Sequence, residues 1–203
     1  MAEYYMFNKP KGCISACRDD RSPVVMDYFS SDIRENLFHV GRLDRDTEGL
    51  LIVSDDGALC NRLMMPDHKV KKTYFFWAEG EISASDKAKL EEGIDIYGNG
   101  AEITAPAELE IIKKATLLEI KDFLSEVDLK KLRRRPGLPV FSGLLTITEG
   151  KKHQVKRMLG YFGCRVVYLK RISIGELSLD ENLRPGEYRP LTEEELRLLQ
   201  SEE

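Results

Sequence analysis

The chain has 203 residues, of which 42% are hydrophobic and 33% charged, and its formal net charge is -4. This length and balance allow one domain, or one domain with two lobes, and exclude a chain that is disordered throughout. No apolar run reaches the roughly 18 residues of a membrane helix, and the start "MAEYYMFNKPKG" lacks the apolar segment of a signal peptide, so we expect a cytoplasmic protein. Four scattered cysteines predict free thiols, without a disulfide framework or a zinc site.

Strand and helix patterns alternate through the first half of the chain. Alternating or continuous apolar runs with aromatic and β-branched residues are typical of strands, and a Ser, Thr or Asp before an apolar period begins helices. A capping box, Ser83 with Asp86, begins a helix that ends at Gly93. Predicted strands are "EYYMFN", "LFHVG" (37–41), "LLIVS" (50–54) and "KKTYFFWAEG", and predicted helices are "VVMDYF", begun by Ser22 and Pro23, and "ALCNRLMM".

The second half begins with a long segment of mixed character. Residues 116–135 carry apolar side chains at 117, 120, 124 and 127, which predicts one amphipathic helix that ends in a basic cluster. Strand "GLLTIT", helix "EGKKHQVKRMLGYFG", strand "RVVYLKRISIG" and a final helix capped by Thr192 and Glu195 follow. Without a regular βαβ period, the order predicts an α+β fold with a mixed, mostly antiparallel central sheet and flanking helices.

Cationic side chains are concentrated in one part of the chain. Residues 130–171 contain twelve Lys or Arg and a single acid, Glu149, so the rest of the chain is strongly acidic. Such a separation of charge is typical of a protein that holds a polyanion on one face. A solvated basic surface is the alternative, but "KKHQVKR" lies between a strand and a helix pattern, which favours polyanion binding.

The acidic stretch "GRLDRDTEGLLIVSDDG" (41–57) allows three interpretations. Its acids match several positions of a calcium loop, but β-type runs flank it where an EF-hand has helices, so no metal is expected. A pair of catalytic carboxylates would require Asp44 and Asp46 to face one cleft. In the third interpretation Asp44 alone is functional, while Asp46, Thr47 and Glu48 cap the turn through their side chains and Gly49 adopts an unusual dihedral angle.

Six motifs follow one another along the chain: "NKPKG", "GRLDRDTEGLL", "KKTY", "EGKKHQVKRM", "LKRISIG" and "GEYRPLT". They resemble, in this order, the motifs of the RsuA-type branch of ribosomal RNA pseudouridine synthases. The resemblance covers nearly the whole chain and implies a pseudouridine-synthase-like, two-lobed fold. Many relatives begin with an S4-type RNA-binding module, which is not expected here because the first motif starts at residue 8.

The resemblance implies an RNA isomerase that needs no cofactor. The family breaks the N1–C1′ glycosidic bond of uridine, rotates the uracil and joins C5 to C1′. Asp44 is the implied catalytic carboxylate and Lys156 the cation that pairs with it, although many relatives have Arg there. Tyr74 and Leu169 are the implied walls of the pocket for the flipped base, and Arg42 fills its vacated space or binds phosphate.

A further set of basic residues is predicted to bind RNA. The segment 116–138 is interpreted as an inserted arm on the single catalytic domain (1–203), and it is expected to supply RNA grip in place of the missing module. The expected partner is ribosomal RNA, with the small subunit slightly favoured over the large, and a monomer is the expected state. The residues are Lys9, Lys11, Arg133, Arg134, Arg135, Lys151, Lys152, Arg157, Lys170 and Arg171.

Two other classes of function remain open from the sequence. A non-catalytic RNA-binding or ribosome-assembly protein with the same fold would show the same basic segment. A calcium-binding protein would use residues 44–55.

Overall fold

The computed structural model describes residues 2–100 and 102–200 of the chain. Their contacts divide into two compact units, the first comprising Met1–Lys72 and Lys170–Glu203 and the second Thr73–Leu169. None of the described helices has the length and apolar composition needed to cross a membrane. Strands are β1 Tyr4–Lys9, β2 Phe38–Val40, β3 Glu48–Ser54, β4 Lys72–Glu79, β5 Glu108–Thr116, β6 Pro139–Ile147, β7 Arg165–Ile174, β8 Leu177–Ser178 and β9 Tyr188–Pro190; α-helices are α1 Gly57–Met64, α2 Ala84–Glu92, α3 Glu126–Arg134, α4 Gln154–Tyr161 and α5 Glu193–Gln200.

The first unit is built around β3. Strand β3 pairs antiparallel with β1, where Tyr4 faces Ser54 and Lys9 faces Gly49, and β1 pairs on its other side with β9. Strand β2 is antiparallel to β3, and the end of β7 is parallel to it. The apolar residues of these strands pack with α1 and α5, so that one side of the sheet is covered. The core cluster consists of Met6, Val40, Leu50, Ile52, Leu59, Leu63, Ile174, Leu177 and Leu199.

The second unit contains a sheet with the strand order β5-β6-β4-β7. Strands β5 and β6 are antiparallel from Glu108 opposite Thr146 to Thr116 opposite Pro139, with an irregularity between Ile111 and Lys113. Most side chains of β5 are exposed, which removes the apolar alternation that would have predicted it from sequence. A second core cluster forms here from Trp77, Leu117, Ile120, Val140, Val167 and Tyr168.

Most predicted elements are confirmed, including both capping boxes. Ser83 and Asp86 begin α2, and Thr192 and Glu195 exchange backbone-to-side-chain bonds before α5. The α+β class and the mostly antiparallel pairing are also confirmed. All four cysteines are free thiols.

One helix prediction is wrong, and a second is confirmed with a different start. Residues 116–135 form the end of β5, a 3₁₀ helix at Lys121–Phe123 and the shorter α3, not one amphipathic helix. Leu117 and Ile120 are buried, but Val127 is 72% exposed. The apolar residues therefore do not form one buried helix face, although their spacing resembles one. The helix after Ser22 is a 3₁₀ turn over Val25–Tyr28, and Asp27 accepts from the N–H of Val24 at its start.

Candidate active site

Asp44 lies in the loop between β2 and β3, residues 41–47, in the first unit. Its side chain is half-buried, whereas Arg42 and Asp46 are exposed. The preceding residue, Leu43, is buried and anchors the loop in the core. The carboxylate is therefore presented from a loop that has buried residues at Leu43 and Thr47 and exposed residues between them.

Backbone hydrogen bonds fix the peptide groups on both sides of Asp44. The Ser15 hydroxyl donates to the Leu43 carbonyl at 2.9 Å and accepts from the Leu43 N–H at 3.0 Å. The carbonyl of Asp44 accepts from the N–H of Thr47 at 3.1 Å. One residue later, the carbonyl of Arg45 accepts from the N–H of Gly12 at 2.7 Å. Because consecutive peptide groups are held, the direction in which the Asp44 side chain projects from the backbone is preorganised.

The buried side chain of Lys9 connects three backbone carbonyls at this loop. Its ammonium group donates to the carbonyls of Asp44 at 3.1 Å, Thr47 at 2.9 Å and Pro10 at 3.1 Å, and its side chain is fully buried. Burial lowers the pKa of Lys9 to about 8, although nearby acids including Asp44 oppose this shift. An ammonium group used in this way is not available to phosphate, so the prediction of an RNA contact by Lys9 is corrected to a structural role.

The motif "NKPKG" (8–12) ends in a turn that contacts the Asp44 loop, where the N–H of Gly12 donates to the carbonyl of Arg45. Gly12 has φ +86°, and its carbonyl accepts from Nε of Arg45 at 3.3 Å. Lys11 is half-buried, and its contact with RNA remains a prediction. Neither Ser15 nor Gly12 was identified from sequence, because a lone serine and a turn glycine carry no chemical signal.

Gly49 allows β7 to approach β3 closely. Its φ is +104°, and a Cβ atom at this position would lie 2.2 Å from the carbonyl oxygen of Arg171. The unusual dihedral predicted for Gly49 is confirmed. Thr47 does not cap the turn through its side chain: its hydroxyl is buried without a hydrogen-bond partner, and its backbone groups hold the loop instead.

Arg171 is a core residue of the first unit. Only 3% of it is exposed, and its Nε donates to the carbonyl of Leu50 at 2.8 Å. A guanidinium group at this depth does not meet phosphate, so its prediction as an RNA-binding residue is also corrected. The preceding Lys170 is half-buried and remains a predicted contact.

The second unit holds the other residues predicted for the active site. Tyr74 lies on β4 and is 8% exposed, and Leu169 lies on β7 and is 4% exposed. Lys156 is half-buried in the first turn of α4. The pairing of Lys156 with Asp44 joins residues of different units and remains a prediction.

A polar network shapes the chain before α4. Glu149 accepts from the side-chain amide of Gln154 at 2.7 Å and from the N–H of Ala105 at 3.0 Å. Gln154 in turn accepts from the N–H of Lys151 at 2.9 Å. His153 then adopts a left-handed conformation, with φ +54°, which is uncommon for a residue other than glycine. The network fixes the point at which α4 begins and hence the position of Lys156.

The predicted RNA-binding residues of this unit differ in their surroundings. Lys152 is exposed, but Lys151 donates to the carbonyl of Ile103 at 2.9 Å and lies 3.4 Å from Glu149. The guanidinium carbon of Arg157 lies 4.4 Å from the ring centroid of Tyr97. Arg133, Arg134 and Arg135, at the end of α3, are all exposed.

Two observations bear on the alternative sites. The acidic stretch is flanked by strands β2 and β3, whereas an EF-hand requires two helices. A cavity of about 510 Å³ in the first unit, between α1 and α5, has none of the predicted site residues in its lining. Among its lining residues are Arg62, Lys69 and Lys71.

Comparisons with known proteins agree with the motifs. A family model described as RNA pseudouridylate synthase matches residues 3–161. The chain is 43% identical over 197 residues to the uncharacterized RNA pseudouridine synthase YtzG of Bacillus subtilis, an alignment that covers 97% of this chain and 72% of the relative. It is 38% identical over 193 residues to ribosomal small subunit pseudouridine synthase A of Salmonella typhimurium, covering 95% and 72%.

Solved structures of pseudouridylate synthases also match the chain. A crystal structure of a pseudouridylate synthase superposes with a TM-score of 0.80 at 36% identity, covering 98% of this chain and 74% of that chain. Human RNA pseudouridylate synthase domain containing 1, at 14% identity and a TM-score of 0.59, shares the fold over 98% of this chain and 91% of its own. The chain therefore belongs to the RNA pseudouridylate synthase family, in its RsuA-type branch, and is an RNA pseudouridine synthase.

Proposed function

We propose that this enzyme isomerises a specific uridine of ribosomal RNA to pseudouridine, and that small-subunit RNA is its substrate. The relative from Salmonella typhimurium is named for the small ribosomal subunit, and its similarity to this chain supports the choice. The concentration of Lys and Arg in residues 130–171 supports a polyanionic substrate despite the net charge of -4.

The catalytic carboxylate in this proposal is Asp44. The observation that carries the assignment is the set of hydrogen bonds that fixes the peptide groups of Leu43, Asp44 and Arg45. A surface acid with no role does not require a buried lysine and a buried serine to hold its backbone. Such support is expected where a reacting group must be kept within a fraction of an ångström of its productive position.

The reaction needs one ionised carboxylate at the ribose. The N1–C1′ bond breaks, the uracil rotates and a C5–C1′ bond forms, while the proton lost from C5 is balanced by one gained at N1. Asp44 either attacks the sugar or removes a proton from it. In the proposal Lys156 supplies a positive charge opposite this carboxylate, in a site from which the bound nucleotide excludes water.

The uridine must leave its stack before Asp44 can reach the ribose. In the proposal Tyr74 stacks on one face of the extruded uracil and Leu169 packs on the other, which suits a planar base without reading its sequence context. Arg42, which is exposed, fills the space left in the RNA or binds a phosphate there. His153 has no proton-transfer role in this scheme.

Asp44→Asn tests the assignment. The substitution keeps the size of the side chain but removes its charge, so we expect no detectable pseudouridine in unmodified small-subunit RNA, with the affinity for that RNA within about threefold of the original enzyme. Asp46→Asn is the matched control, because Asp46 is an exposed acid in the same loop. Its rate should stay within a few-fold of the original.

The substrate is tested by mapping pseudouridines in ribosomal RNA from cells with and without the gene. A single position lost from the small subunit supports the proposal, and a position lost from the large subunit would redirect it to that RNA. Isomerase activity that survives Asp44→Asn would remove Asp44 from the mechanism.

A further inference from the structure

Tyr97 is an exposed aromatic residue of a surface loop, and its ring contacts an arginine. The loop, residues 95–100, connects α2 to the region before β5, and the ring is 37% exposed. The guanidinium carbon of Arg157 lies 4.4 Å from the ring centroid, which is the geometry of a cation–π contact. An aromatic side chain backed by a cation thus stands at the surface.

The loop that carries Tyr97 is held in one shape by a single carboxylate. Asp95 accepts from the N–H groups of Tyr97 at 3.0 Å, Gly98 at 2.9 Å and Gly100 at 2.6 Å. The bond from Gly100 contributes most to lowering the pKa of Asp95 below its usual value. A Cβ atom added to Gly98 or Gly100 would meet no group within 4 Å apart from the immediate chain neighbours. The ring therefore stands on a preorganised loop.

A purely structural role accounts poorly for the contact between Tyr97 and Arg157. The neighbouring segments are already joined by hydrogen bonds from Lys151 to the carbonyl of Ile103 and from the N–H of Ala105 to Glu149. An anchoring tyrosine would gain most from burial of its ring, yet Tyr97 remains exposed. The exposed Lys152 adds positive charge to the same helix start.

Exposed aromatic rings backed by Arg, with cations nearby, are what unpaired bases of RNA stack on. We propose that Tyr97, supported by Arg157, is a stacking platform for an unpaired base of the substrate RNA other than the uridine that is isomerised. This inference rests on the proposed function, because it takes RNA as the substrate. Arg157 follows Lys156 directly in α4.

Tyr97→Leu tests the platform, because leucine keeps apolar volume but offers no aromatic face. With unmodified small-subunit RNA transcript as the probe, we expect the Kd and the KM to rise about fivefold or more, while kcat at saturating RNA and the salt dependence of Kd stay unchanged. The matched control is Tyr161→Leu, since Tyr161 is 53% exposed on the last turn of α4 and contacts Phe162. This control should bind RNA as the original enzyme does.

A second measurement does not depend on the leucine variant being folded. Tyr97→Trp places a fluorophore on the platform, and we expect the RNA transcript to quench its emission, while the buried Trp77 supplies the background measured in the original enzyme. Unchanged affinity in Tyr97→Leu, or absence of quenching in Tyr97→Trp, would overturn the inference and leave the isomerase intact. Loss of the proposed function would instead show as absence of pseudouridine formation by the original enzyme.

Discussion

At the scale of single residues, buried lysines support the loop that carries Asp44 and the start of β4. Lys9 and Lys72 are both almost fully buried, and burial lowers the pKa of each to about 8. Lys72 donates to the carbonyl of Val70, and the nearby Arg171 lowers its pKa further. Sequence could not separate these lysines from those predicted to bind RNA, because each lies in a motif of basic and polar residues and only the fold determines how deeply each is buried.

Lys9→Met provides a test by pH. Because the pKa of Lys9 falls from its ordinary 10.5 to about 8 on folding, the folded protein releases this proton first as pH rises. Stability from this residue therefore increases between pH 8 and 10.5, and it is lost as pH falls through 8. We expect the free energy of unfolding of the original enzyme to rise relative to that of Lys9→Met by up to about 3 kcal/mol across this window.

Denaturant titrations at several pH values measure this difference. Lys72→Met is the comparison, since the pKa of Lys72 is also about 8 and the same rise is expected. A difference between the original enzyme and Lys9→Met that is flat, or that falls between pH 8 and 10.5, would contradict the buried position of this ammonium group.

At the scale of elements, α3 is attached to the second unit by an ionic network. Glu79 on β4 binds Arg165 of β7 at 2.6 Å and Lys131 of α3, and Arg165 also binds Asp128 of α3. Asp128 is 5% exposed, and Ser125 caps the helix by accepting from its N–H. The first turns of α3 are therefore fixed to the sheet, whereas the arginines at its end are exposed.

Sequence patterns predicted α2 and α5 well but predicted α3 and β5 poorly. Where a capping box begins an element, as with Ser83 and Asp86, the local chemistry determines the start of the helix. Helix α3 instead is fixed by partners on β4 and β7 that are distant in sequence, and β5 is paired on an exposed surface by β6. Such long-range contacts override local periodicity.

Glu79→Gln tests the ionic attachment of α3. Burial raises the pKa of Glu79, but hydrogen bonds from Arg165 and Lys131 outweigh it and leave the pKa below its usual value. We expect the free energy of unfolding to fall by about 1 to 3 kcal/mol at pH 7, because Arg165 and Lys131 lose their common partner. Since the lowered pKa stabilises the fold above pH 4.5 and this is lost as pH falls, the difference from Glu79→Gln should shrink in acid.

Urea unfolding at pH 7 and pH 3.5 measures these differences, and hydrogen exchange should show lower protection of the amides of α3. Glu81→Gln is the control, because Glu81 is highly exposed and lies 3.9 Å from Lys114. Equal stability of Glu79→Gln and Glu81→Gln would mean that the network does not hold the helix.

At the scale of the whole molecule, the distribution of charge matters more than the net charge of -4. The structure divides the basic segment 130–171 into side chains with internal roles, such as Arg165 and Arg171, and side chains in contact with solvent. Of the active site, the motifs predicted the candidate residues but not the support from Ser15, Gly12 and Lys9. In each of these contacts the partner in the loop is a backbone group, which leaves no pattern of residue types in the sequence.

The exposed arginines at the end of α3 allow the most direct test of whether the segment 116–138 binds RNA. Neutralising Arg133, Arg134 and Arg135 together with Gln removes up to three phosphate contacts, whereas deleting 118–138 would also remove the buried Ile120 and Asp128. Each lost contact reduces the slope of log Kd against log salt by about 0.7 to 0.9, so we expect a total reduction of about 2 to 3 with kcat retained. Glutamine at Arg18, Arg21 and Arg34, three exposed arginines of the first unit, changes the net charge equally and should leave the slope unchanged. If both triple variants lower the slope by the same amount, the effect belongs to the overall field of the protein, and the segment 116–138 is not an RNA-binding arm.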